Sequence, residues 1–144
     1  MTDRLSEEKA VCAAVDQWIV VLNAMLNGDP KPLADLYSHA DDVTYMGAEG
    51  TFRVGWEATY ADWQAQAEKS SGGQVAPAEV HVVVCGDLAA VQHLTRGQVR
   101  QPDGQTNETN VRESSVFRKE LGAWKMIAHH ADALAYWEEA FAGP

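Results

Sequence analysis

The sequence has little sulfur and little positive charge. Two cysteines, Cys12 and Cys85, stand among 144 residues, and neither belongs to a CxxC pair. That excludes a disulfide framework and a redox motif. Each is expected to be a small buried hydrophobe in a reduced, cytoplasmic protein. Basic residues number 11 against 21 acidic ones, a net charge of −10. A chain of this sign lacks the basic face that a phosphate backbone requires, so no nucleic-acid partner is expected. It would also be repelled by an anionic bilayer surface. No unbroken apolar run approaches the roughly 18 residues of a membrane span, and the opening MTDRLSEEKA is acidic, unlike a secretory signal. Low-complexity tracts, internal repeats and long linkers are missing too. So are a zinc-type HExxH, a phosphate loop and a nucleophilic serine elbow.

What remains is enough for one core. The chain is 46% hydrophobic, which excludes disorder, and its length fits a single domain over residues 1–144. Val11, Val15, Trp18, Leu22 and Met25 recur at helical spacing. Ser6 is the expected cap, and Asn27-Gly28 the stop. Asp29-Pro30 predicts a second helix carrying Leu33, Leu36 and Tyr37. Short strands follow at Val43–Met46 and Thr51–Val54. Gly55 opens a third helix with Trp56, Tyr60, Trp63 and Ala67 on one face, ending at Ser70-Ser71-Gly72-Gly73.

Beyond Gly73 the period is two. Strands are expected over Gln74–Cys85, Leu88–Gln101, Thr106–Glu120 and Ala123–Leu134, joined by tight turns. A last short helix is expected from Ala135 to Phe141. Helices first and an antiparallel meander afterwards is the α+β order.

The inner face of the sheet follows from Arg118 and Lys125. A two-residue turn at Leu121-Gly122 sets these cations opposite each other, so they should point to water. Glu113, Ser115 and Phe117 then point inward, facing Trp124, Met126, Ala128 and His130, with Glu113 directly across from His130. Val80, Val82 and Val84 face His93, Val91 and Ala89 on the same floor. A one-residue bulge would reverse the phase and bring Arg112, Ser114 and His129 inside instead.

In order and spacing these features resemble the SnoaL-like branch of the nuclear-transport-factor-like superfamily. The carriers are Asn27-Gly28-Asp29, Leu36-Tyr37 followed by Asp41-Asp42-Val43, Gly50 with Gly55-Trp56, and the hairpin VFRKELGAWKMIAHHAD with Trp124 and His130. The resemblance implies a cone-shaped, cystatin-like α+β fold, three N-terminal helices over a curved antiparallel sheet. It also implies acid–base chemistry in a blind apolar pocket without a cofactor, and a homodimer. Steroid isomerases of this group carry a tyrosine where Trp18 stands and an aspartate where Met46-Gly47 stands. The dehydratases, with a pair of pocket histidines, resemble this chain better.

The expected catalytic residues are His130 as base, Glu113 as its carboxylate partner, and His93 or Asp132 as the acid or oxyanion donor. A carboxylate beside an imidazole favours the protonated ring and fixes its tautomer. Trp18, Tyr45, Trp56, Tyr60, Trp63 and Phe117 are the aromatic candidates for a flat ring substrate. His93, His130 and Glu113 or Asp132 are also ligand types that suit zinc or iron(II). No short-range spacing supports that set, and no metal is expected. The expected function is a lyase or isomerase acting by dehydration, isomerisation or aldol cleavage on a small apolar substrate. The alternatives are a ligand-binding or association module without turnover, and a hydrolase using an activated water. Leu94, Val116 and Ile127 mark the outer sheet face as the dimer surface.

Overall fold

The computed structural model describes residues 3–133, so the helix expected at 135–141 lies outside the described residues. Helix α1 (Arg4–Leu26) starts a turn earlier than expected, because the Asp3 carboxylate rather than Ser6 accepts from the Leu5 N–H. Its inward stripe of Val11, Val15, Trp18 and Met25 is buried, as the spacing requires. By length and composition alone α1 would pass for a membrane span. Here it is a core helix lying across the sheet.

Three comparable helices do not form. The proline-led segment makes only a single turn, α2 (Leu33–Leu36), before Tyr37 turns extended and bridges to the sheet. Strands β1 (Thr44–Met46) and β2 (Phe52–Val54) then form a hairpin, and α3 (Trp56–Lys69) follows behind Gly55. Four long strands complete the chain: β3 (Gly73–Cys85), β4 (Leu88–Arg100), β5 (Thr106–Glu120) and β6 (Ala123–Ala133).

The six strands form one curved sheet in the order β2-β1-β6-β5-β4-β3. The last four are the expected meander. The sheet is not purely antiparallel, however, because β1 joins β6 in parallel. Helices α1 and α3 cover its inner face, and the core lies between them.

Two bulges set the site. In β3 the register against β4 slips between Ala78 and His81, where Glu79 takes a positive φ of 55°. The slip turns Val80 outward, 42% exposed, whereas Val82 and Val84 keep the expected inward phase. In β6 the register slips between Met126 and Ala128, leaving Ile127 without a partner on β5. Trp124 and Met126 point inward before the slip, and His129 points inward after it. An extra residue on one strand bends the ladder and reverses the side-chain alternation beyond it.

Arg118 and Lys125 are opposite each other as the turn predicts, but neither is left to water alone. Arg118 is bound by Asp42 at 2.8 Å and by Glu120, and Lys125 donates to the Asp35 carbonyl at 2.6 Å. Both cysteines are exposed rather than buried. Cys12 lies on the solvent side of α1, one residue past buried Val11, and Cys85 ends β3.

Candidate active site

The inner face of the sheet brings five polar side chains together where an apolar core would otherwise continue. His93 and Thr95 come from β4, Glu113 and Ser115 from β5, and His129 from β6; all five are buried. Period-two alternation carries the first four inward. The β6 bulge adds His129 to them, opposite Ser115.

Glu113 is the hub. Its Oε1 lies 3.0 Å from His129 Nε2. Its Oε2 accepts from the Thr95 hydroxyl and lies 3.7 Å from His93 Nδ1. Burial pushes the Glu113 carboxyl up, but the contact with His129, the charge of that ring, the Thr95 hydroxyl and His93 outweigh it. The net direction is down, so the carboxylate is ionised at neutral pH. His129 is fixed at its other end, where Nδ1 lies 2.8 Å from Ser115 Oγ. Its ring rests on Trp18, with centroids 4.5 Å apart.

Glu113 and His129 line a cavity of about 300 Å³ beneath α1 and α3. Leu22, Met25, Leu26, Val75 and Val99 supply much of its apolar wall, and Tyr45, Trp63, Gln66 and Thr95 complete the polar and aromatic part. An anionic carboxylate at a mostly apolar cavity wall can act as a proton acceptor.

The structure distributes the expected residues unevenly. Glu113 and His93 face inward. His130 does not: it pairs with Ser114 on the outer face and is exposed, because the bulge at Ile127 shifts the strand by one residue. The residue across from Glu113 is Ala131. Asp132 also lies outside, held by a two-pronged bond to Arg112 at 2.9 and 3.0 Å. The four residues weighed as metal ligands are thus split between two faces.

The alternative phase placed His129 inside together with Arg112 and Ser114. Only His129 is inside, since the bulge reverses β6 and leaves β5 unchanged. Among the aromatics, Tyr45 and Trp63 line the cavity. Trp18 packs behind His129 and edge-on to Trp63. Phe117 is buried opposite Met126, away from the described cavity wall. Trp56 and Tyr60 do not reach that wall either, since Trp56 stacks on His39 at 4.3 Å and on Tyr60 at 4.9 Å. Thr95 and Gln66 were missed, for a short polar side chain at an inward strand position carries no signal of its own.

A long helix and a shorter one over a curved sheet, with a carboxylate and histidines beneath them, is the nuclear-transport-factor-like architecture. Solved structures bear this out. A candidate dehydratase of the NTF2-like family from Streptomyces avermitilis superposes with a TM-score of 0.81 at 21% identity, covering 92% of this chain and 99% of that one. A candidate aromatic ring hydroxylase from Novosphingobium aromaticivorans gives 0.77 at 17% identity, covering 92% of each. The association domain of the Caenorhabditis elegans kinase CaMKII gives 0.68 at 20% identity, covering 88% of this chain and 98% of that one. The chain belongs to the SnoaL-like domain family, whose model matches residues 11–136. No curated protein matches it in sequence.

Proposed function

We propose that this SnoaL-like chain is a cofactor-independent acid–base enzyme acting on a small, largely apolar ring compound. The observation that carries the reading is the Glu113 carboxylate, held ionised between two histidines at an apolar cavity of about 300 Å³. Glu113 takes a proton from a carbon beside a carbonyl group, and the electron pair moves to the carbonyl oxygen. His129, in contact with Glu113, shares the proton and returns it at the adjacent position or to a leaving hydroxyl. Isomerisation follows in the first case, and dehydration in the second as the enolate collapses and the β C–O bond breaks; in aldol cleavage Glu113 takes instead the hydroxyl proton of a β-hydroxy ketone, the C–C bond breaks, and the enolate carbon receives the proton. The dehydratase among the structural relatives is consistent with this chemistry.

The test is a screen of uncharged aromatic hydroxy and keto compounds in D₂O with mass detection. A product, or deuterium gained at a carbon beside a carbonyl, supports the reading. Exchange that is equally fast in Glu113→Gln sinks it.

An association module is the second reading, favoured by apolar side chains left open on the sheet, Val83 at 46% and Leu88 at 48% exposure. Both readings accommodate a homodimer through the outer face, with Leu94 and Val116 in the contact and Arg118 and Lys125 at its rim; Ile127, expected there as well, packs against the core instead. Closed two-fold pairs are the commonest assembly. Light scattering is expected to give twice the monomer mass, and a monomer at all concentrations would contradict it.

A further inference from the structure

Tyr45 stands on β1 at the cavity wall, buried to 3% exposure. Its hydroxyl has one neighbour with a defined role. Gln66 Nε2 lies 2.8 Å from Tyr45 Oη and 3.1 Å from Asp62 Oδ1, one helical turn away on α3. Asp62 in turn accepts from Arg53 Nε at 3.1 Å. Burial raises Asp62, but the donors from Gln66 and Arg53 prevail and hold it below the ordinary carboxylate value.

The direction of every hydrogen bond in this chain is therefore fixed. An ionised Asp62 only accepts, so the amide nitrogen of Gln66, not its oxygen, must face it. The same nitrogen carries a second proton, which goes to Tyr45 Oη. The phenol oxygen is thereby an acceptor toward Gln66, and its own proton must be directed elsewhere. The missing side chain of Gly47 lets the hydroxyl lie close to the backbone, since a Cβ there would come within 2.7 Å of Tyr45 Oη, while the Tyr45 side chain itself stands in the cavity wall. Burial pushes the phenol up to about 12, against the opposing bond from Gln66, so the proton is held at neutral pH.

We infer that Tyr45 donates a hydrogen bond to an oxygen of the cavity's ligand, and that Gln66, Asp62 and Arg53 are the positioning residues that aim its proton. The inference rests on the acid–base reading for the ligand's place and adds its chemistry: an uncharged ring compound with a carbonyl or hydroxyl oxygen at the Tyr45 end. Among the described wall residues no lysine or arginine is present, while Glu49 and Glu113 are. A carboxylate or phosphate ester would find no counter-ion there.

The probe for this is 6-propionyl-2-(dimethylamino)naphthalene, an uncharged aromatic ketone whose emission moves to the red when its carbonyl accepts a hydrogen bond. The wild-type chain is expected to bind it with red-shifted emission. Tyr45→Phe should move the bound emission to the blue and weaken binding by ~3–10-fold, the worth of one hydrogen bond. Gln66→Ala and Asp62→Asn leave the phenol in place but free its rotor, so each should give an intermediate emission. A residue with a merely structural role would change the melting temperature and leave the emission alone. A probe that fails to bind, or binds with the same emission in wild type and Tyr45→Phe, overturns the assignment. Glu113→Gln should keep the red-shifted emission whatever becomes of turnover, so failure of the acid–base reading and failure of this one are separable.

Discussion

Replacing Glu113 by glutamine is expected to reduce kcat by at least ~10²-fold, the lower end of general acid–base contributions. The amide keeps the shape and the bond from Thr95 but accepts no proton. The same variant has a second signature. Glu113 is held below its ordinary value in the folded chain. Its ionised form therefore adds stability above the unfolded-state pKa, and that stability is lost as pH falls through the folded value. Urea unfolding across the acid range should show a flatter decline in Glu113→Gln than in wild type. A variant that lost activity but kept the full acid slope would place the stabilising carboxylate elsewhere.

The neighbouring histidines should behave oppositely. His129→Ala removes the contact 3.0 Å from Glu113 and leaves a buried charge uncompensated. The expected cost is about 3–5 kcal/mol of stability together with ~10² or more in kcat. His129→Gln keeps much of the volume and a donor but cannot give up or take on a proton, so it should recover stability and not rate. His130→Ala should leave both within a few-fold, because that ring is exposed on the far face. Chemical denaturation with initial rates measures all three, and a larger loss at His130 would contradict the bulged register.

Much of the site could be read from the residues because sheets alternate. Arg118 and Lys125 fixed the phase of β5, and with it Glu113, Ser115 and Phe117 as inward residues. His93 followed from the Gly86-Asp87 turn. Those inferences rest on short-range geometry, which a turn and a period of two determine locally. The inward histidine of β6 did not follow, because a bulge has no obligatory residue. Ile127 in Met126-Ile127-Ala128 looks like any strand residue, and the slip depends on how the whole sheet bends beneath α1. The bulge in β3 was equally silent, with Glu79 rather than a glycine at the positive φ. The helical layer was legible in α1 and α3. Pro30 promised more helix than α2 delivers, since Tyr37 is drawn off to the sheet.

The slip at Ile127 has a consequence for how this gene can change length. Within an ordinary strand, losing one codon exchanges the two faces of everything downstream. Here the strand already carries one residue more than its partner. Removing that residue would restore simple alternation from Met126 to His129 and Ala131, with both still inward. The paired histidines add a second kind of redundancy. A strand that straightened without losing the residue would rotate His129 out and His130 in, exchanging one imidazole for another. Position 127 is thus a place where a reading-frame-preserving deletion leaves the chemistry under the cone in register, whereas the same deletion at Lys125 would have to be absorbed by the bulge or by the turn.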